Sequence, residues 1–142
     1  MSQLVATAYR LARHYHFGQT DKLGAPYLDH VVRVAEKVAH LGSAHAAVAL
    51  LHDVLEDTDA TESDLIAAGI DPHLVEAVVV LTKTGGPNSD YYARVRRHGL
   101  ARTVKMADVA DNADPDRLML ITDPATRERL TRKYAAATDA LR

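Results

Sequence analysis

The sequence contains no cysteine, no tryptophan and a single phenylalanine. Without cysteine there is no disulfide and no thiolate to hold a metal, a composition that accords with a reducing cytoplasm, the expected location. With few large aromatics, the core must come mainly from Ala, Val and Leu, which suit close packing of helices. No apolar run approaches the ~18–20 residues that a membrane span needs. The opening MSQLVATAYRLAR also lacks the apolar stretch of a signal peptide, so no membrane association is expected. Nor is there an excess of positive charge: the formal net charge is −2 with neutral histidine, which argues against non-specific binding to nucleic acid. What the chain does have is 142 residues, 47% of them hydrophobic, enough for one domain spanning 1–142. It also has eight histidines, a high number for this length.

The apolar residues recur with helical spacing. Leu4, Val5, Ala8, Leu11, Ala12 and Tyr15 form an i, i+3/i+4 stripe over 2–16. A loop with Gly18, Gly24 and Pro26 follows. A second helix is expected over about 28–40, ending at Gly42, and a third from an N-cap at Ser43 to about Glu56. Thr61 and Asp64 have the spacing of a capping box for a short helix closed by Gly69. Asp71-Pro72 reads as cap plus first-turn proline for a helix over about 72–83. Val78-Val79-Val80 would suit a strand, but it lies within the helical stripe of Leu74, Val78 and Leu81 and is assigned to that helix. Helices over about 89–98, 100–112 and 124–141 complete an all-α, compact single-domain bundle, with ADP and TDP breaking the chain between the last two.

ALLHDVLEDT, residues 49–58, departs from ordinary core rules. A run apolar on every side, AAVALL, leads straight into His52, Asp53, Glu56 and Asp57. On a continuous helix these four share one stripe, at ~100° per residue. Three carboxylates at a helix C-terminus oppose the macrodipole, an end that favours cations by ~0.3–1 kcal/mol per charge. A divalent cation would reverse that cost. Taken alone, the stretch equally fits a solvated helix end beside a satisfied core histidine. Its company gives it meaning: His30 at the start of the second helix, Asp108 and Asn112 at i, i+4 near the end of another, and Lys22 in the glycine-containing loop. His30, His52, Asp53 and Asp108 together offer two imidazoles and two carboxylates to one ion, a mixture that suits Mn²⁺, Fe²⁺ or Zn²⁺.

These residues resemble those of the HD-domain metal-dependent phosphohydrolases, whose signature is a His, a His-Asp pair and an Asp on separate helices. The similarity is greatest to the hydrolase domain of RelA/SpoT-like proteins and its small stand-alone relatives. FGQTDKLGAPYLDHVVRVA, ALLHDVLEDTDAT, VVVLTK and VKMADVADN resemble that family's segments in order, over roughly residues 5–112. The resemblance implies an HD-type bundle of about eight to ten helices and a Mn²⁺ ion on His30, His52, Asp53 and Asp108. It implies hydrolysis of phosphate groups on a small-molecule nucleotide, most familiarly the 3′-pyrophosphate of guanosine 3′,5′-bis(diphosphate), and a chain too short for a synthetase or regulatory segment. Glu56 and Asp57 would orient or deprotonate the attacking water. Lys22, Lys83, Lys105, Asn112 and Tyr134 would contact the substrate.

One departure stands out. The family carries Arg-Lys where this chain has Asp21-Lys22, and an Asp there would reverse the charge beside an anionic ligand. If Asp21 is what makes guanosine tetraphosphate a poor substrate, Asp21→Arg is expected to raise activity on it. The alternatives are a phosphatase acting on another nucleotide such as NADPH, a non-catalytic nucleotide-sensing module, and a helical interaction protein with accidental spacing.

Overall fold

A computed structural model describes residues 2–142. Its elements are α1 (Gln3–Tyr15), α2 (Tyr27–Val38), a 3₁₀ turn (Ala39–Leu41), α3 (Ser43–Leu51), α4 (Val54–Asp57), α5 (Glu62–Ala67), α6 (Pro72–Leu81), α7 (Asn88–Arg96), α8 (Gly99–Asn112), α9 (Pro115–Leu118) and α10 (Pro124–Leu141). Among the described residues there is no strand, only one isolated antiparallel bridge from Thr20 to Pro26 that closes the loop before α2. The all-α expectation and its eight to ten helices hold, and Val78–Val80 are helical.

Local chemistry starts and stops these helices as the sequence suggests. Ser2 caps α1 by accepting from the Val5 amide, and Thr61 with Asp64 forms the full reciprocal capping box of α5. Asp71, Asp114 and Asp123 each cap a helix whose first residue is proline. The second of these opens α9, a single turn inside a stretch read from sequence as a break. Ser43 is not a cap: it is the first helical residue after Gly42, whose φ of 120° is a left-handed conformation open to glycine.

The third helix is shorter than expected. It ends at Leu51, and the chain restarts as α4 at Val54. The reason lies in His52. Its amide reaches back only three residues, to the Ala49 carbonyl at 3.5 Å, and its own ring nitrogen Nδ1 donates to the same carbonyl at 2.6 Å. That carbonyl is thereby withdrawn from the regular i→i+4 ladder. Asp53 then adopts φ −106° and ψ 0°, the bridge region that suits a turn.

α3 is the central element. Ala46 to Leu51 are all buried, and the helix packs against α1, α2, α6 and α8. Its Ala-rich surface lets those helices approach closely. One cluster of small apolar side chains, including Ala8, Val31, Val34, Ala47, Val48, Leu51, Val78 and Val104, forms the core. Because α2, α3 and α8 converge around it, polar groups at the end of α3 face the first turn of α2 and the later turns of α8. No helix among the described residues is long and apolar enough to cross a membrane.

Candidate metal centre

His30 stands in the first turn of α2, just after Pro26 fixes the chain's entry into that helix. His52 closes α3, Asp53 precedes α4, and Asp108 lies in the later part of α8. Their ligand atoms, one from each residue, all lie within 4.8 Å of one another. His30 Nε2 is 2.8 Å from Asp108 Oδ1, and His52 Nε2 is 3.0 Å from Asp53 Oδ2 and 3.3 Å from Asp108 Oδ1. His30, His52 and Asp108 are buried, whereas Asp53 keeps a partly open face.

The hydrogen bonds around these residues fit a cation. His52 Nδ1 faces a carbonyl, which only accepts, so it carries a proton, and Nε2 points into the cluster, where the two carboxylates favour a second proton on it in the metal-free chain and a cation could take that proton's place. His52 Nε2 is buried and, despite its short distances to two carboxylates, makes no well-directed hydrogen bond. A buried nitrogen facing two carboxylates calls for positive charge at that point, a proton or a cation. His30 is built alike: its Nδ1 donates to Asp111 Oδ2 at 2.7 Å, leaving Nε2 toward Asp108. Two imidazoles and two carboxylates presented this way fit a divalent metal.

The carboxylates are tuned for charge. Burial works against ionising Asp53, but the adjacent His52 outweighs it and holds the acid at about 2. Asp108 is likewise held well below the usual carboxylate range: desolvation is outweighed by His52 and Lys105. Tyr27 Oη donates to Asp53 Oδ2, fixing the carboxylate's orientation. Asp57 behaves oppositely. Desolvation, then Asp53, then Glu56 push its carboxyl up to about 6. Glu56 Oε1 accepts from the Lys83 amide at 2.7 Å, tying α4 to the end of α6.

Asp53 and Asp108 of the cluster line a cleft of about 380 Å³, and His30 and His52 are buried beside them. Every residue expected to contact substrate lines it: Lys22, Lys83, Lys105, Asn112 and Tyr134, together with Glu56 and Asp57. Their partners differ. Lys105 Nζ pairs with Asp108 Oδ2 at 2.9 Å, and Asn112 Nδ2 donates to Asp108 Oδ1 at 3.3 Å, so both also brace a ligand. Lys83 Nζ lies 5.3 Å from the centroid of the Tyr91 ring.

Four contributors escaped the sequence reading. Lys133, one position before Tyr134, also lines the cleft; desolvation, then Lys22, Lys83 and Lys105, depress its pKa. Tyr27 and Asp111 touch the ligands directly, and Arg33 grips Asp111 through Nε at 2.9 Å and Nη2 at 3.1 Å. Arg33 follows His30 by three residues and Asp111 follows Asp108 by three, the spacing that puts each on the same helix face as a ligand. Asp21 is present but not as a free charge. Its carboxylate accepts from the amides of Leu23 and Ala25, at 2.9 and 3.0 Å, and pairs with Arg117 at 3.2 Å. The charge reversal expected there is therefore offset by Arg117.

An all-α bundle with two histidines and two aspartates gathered from α2, the α3–α4 junction and α8 defines a class of helical metal-site proteins. The model of the HD domain family matches residues 8–120, and the chain belongs to that family. It is 44% identical over 63 residues to the guanosine-3′,5′-bis(diphosphate) 3′-pyrophosphohydrolase of Aquifex aeolicus, a stretch covering 43% of this chain and 9% of that protein. It is 47% identical over 60 residues to the bifunctional (p)ppGpp synthase/hydrolase SpoT of Escherichia coli K12, covering 41% and 8%. Against the GTP pyrophosphokinase of Myxococcus xanthus it is 38% identical over 84 residues, covering 56% and 11%. The chain thus matches only a small part of these longer relatives. A solved structure described as a metazoan ortholog of SpoT that hydrolyzes ppGpp superposes with a TM-score of 0.81 at 23% identity, over 100% of this chain and 87% of that one. At that identity the likeness establishes the fold alone.

Proposed function

We propose that this chain is a metal-dependent phosphohydrolase acting on a nucleotide, with the 3′-pyrophosphate of guanosine 3′,5′-bis(diphosphate) as its leading substrate and Mn²⁺ as its ion. The observation that carries this reading is one cleft lined by Asp53 and Asp108 of the His30, His52, Asp53 and Asp108 cluster together with the Glu56/Asp57 pair and four lysines. The names of the matched hydrolases support the choice of substrate.

A divalent cation held by the four ligands supplies Lewis acidity toward a phosphoryl oxygen and toward water. The chain's own groups do the rest. Asp57, with a carboxyl near 6, is matched to accept a proton from water at neutral pH. Glu56, anchored by the Lys83 amide, orients that water from the neighbouring position. Lys22, Lys83 and Lys133 receive phosphate charge, and their crowding of like charge is relieved by an anion among them. Lys105 and Asn112 hold Asp108 in place while facing the cleft. Tyr134 forms part of the wall on which the nucleoside rests.

The test is a screen for released phosphate and pyrophosphate with Mn²⁺, with guanosine tetraphosphate and NADPH both included. Release of pyrophosphate from guanosine tetraphosphate is expected. Turnover of NADPH alone would move the assignment to a different nucleotide, and no turnover of any phosphorylated nucleotide would leave a binding module.

A further inference from the structure

The Arg33–Asp111 pair lies on the far side of His30 from the cluster, and no role in the reaction described above requires it. Its geometry is specific. Asp111 is 2% exposed, a carboxylate buried within α8 and met by donors from α2 alone: His30 Nδ1 at 2.7 Å, Arg33 Nε at 2.9 Å and Arg33 Nη2 at 3.1 Å. Oδ2 receives both the imidazole and one guanidinium nitrogen, while Oδ1 receives the other. A fork of two parallel donors fixes the carboxylate plane, and that plane fixes the ring.

We infer that Asp111 is a positioning residue for the metal centre, and that Arg33 is the clamp that gives it this function. Each His30 nitrogen faces a carboxylate, Nδ1 at Asp111 Oδ2 and Nε2 at Asp108 Oδ1, but Asp111 is the one held in plane by the Arg33 fork, and that clamp favours keeping the proton on Nδ1 and leaving Nε2 for a cation. Outer carboxylates of this kind orient a ligating imidazole and raise its basicity. The two helices are joined twice at the same spacing. α2 offers His30 and Arg33, three residues apart, and α8 offers Asp108 and Asp111, three residues apart. The inner pair, His30 and Asp108, meets at 2.8 Å in the cluster and the outer pair lies behind it, so the contact that helps hold α2 on α8 also aims His30. Arg33 is about one-third exposed at 32% of its side chain, whereas Asp111 is not, so the clamp can be altered from the surface without opening the core.

The inference rests on His30 being a metal ligand, and the experiment separates the two. Full-length protein stripped by chelation is titrated with Mn²⁺, with free ion followed by its electron paramagnetic resonance signal. Long-range ¹H–¹⁵N spectra of the metal-free protein, taken where imidazoles are neutral, report which His30 nitrogen carries the proton. Asp111→Asn is expected to weaken Mn²⁺ binding by about 10–100-fold. Arg33→Met, the milder change, should weaken it by a smaller factor and remains informative if Asp111→Asn does not fold. Wild-type His30 should be protonated on Nδ1, and both variants should raise the share protonated on Nε2. Wild-type affinity in both variants, or a wild-type His30 protonated on Nε2, overturns the inference. If the wild type binds no Mn²⁺, the metal reading has failed, and the ¹⁵N spectra still decide whether Asp111 sets the His30 tautomer.

Discussion

The Arg117 guanidinium lies 3.2 Å from the Asp21 carboxylate, joining α9 to the loop before α2 at the edge of the cleft. Asp21 is an organiser of that loop. Desolvation favours its neutral form, but the amides of Ala25 and Leu23 and the Arg117 guanidinium outweigh it and lower its pKa.

Asp21→Arg is therefore expected to destabilise the protein. It sets two guanidinium groups against each other and leaves the Leu23 and Ala25 amides without their acceptor. Loss of charged hydrogen bonds of this kind costs about 1–3 kcal/mol, readable as a lower melting temperature. Arg117 already offsets part of the Asp21 charge, so any gain in activity on guanosine tetraphosphate from Asp21→Arg competes with this loss of stability, and the kinetics of the folded variant beside the wild type decide between them. Because the folded pKa is lowered, the stabilisation by Asp21 is present above the unfolded carboxyl value and is lost as pH falls through the folded one. Asp21→Asn should melt with less dependence on acid than the wild type.

Glu56→Gln separates structure from chemistry. Glutamine can still accept from the Lys83 amide, so the α4–α6 contact survives, but it carries no negative charge toward water. Metal content should be unchanged while turnover falls by about 10²–10⁴-fold. Turnover at the wild-type rate would remove Glu56 from the reaction.

Asp57 gives a pH signature. Its carboxyl, pushed up to about 6, must be ionised to accept a proton, so kcat should rise with pH across an acidic limb. A cation in the cluster favours the ionised form, which places the limb at or below about 6 in the loaded enzyme. Asp57→Asn should abolish that limb together with most of the turnover.

Lys133→Ala should raise KM for a phosphorylated nucleotide more than it lowers kcat, because Lys133 faces the cleft without touching a ligand of the cluster. The metal-free protein should melt almost unchanged, since removing one of several crowded cations relieves repulsion. An unchanged KM would assign the anion to the remaining lysines.

Much of the site was legible because its chemistry broke a local rule. Acids at the end of an all-apolar helix, and an aspartate late in α8 after Val104 and Ala107, are conspicuous in one dimension. Helix starts were equally plain where Thr61/Asp64 or Asp71-Pro72 supplied a cap. What stayed hidden depends on tertiary geometry. Arg33 and Asp111 read as ordinary polar residues on amphipathic helices until α2 and α8 are laid together. Their i+3 spacing from His30 and Asp108 was the available signal. The break at His52–Asp53 turns on a side chain taking a backbone carbonyl, and helical periodicity carries no mark of it. Asp114-Pro115 did carry the same cap signature as Asp71-Pro72, and the single turn of α9 followed from it. Lys133 could be placed only when α10 packed back over α7 and α8.

The central claim is that His30, His52, Asp53 and Asp108 hold one divalent ion. Metal analysis of the purified wild type beside the His52→Ala/Asp53→Ala double variant, after both are equilibrated with Mn²⁺ and desalted, tests it most directly. One ion per wild-type chain and none in the variant is the predicted result, and a full complement of metal in the variant would contradict it.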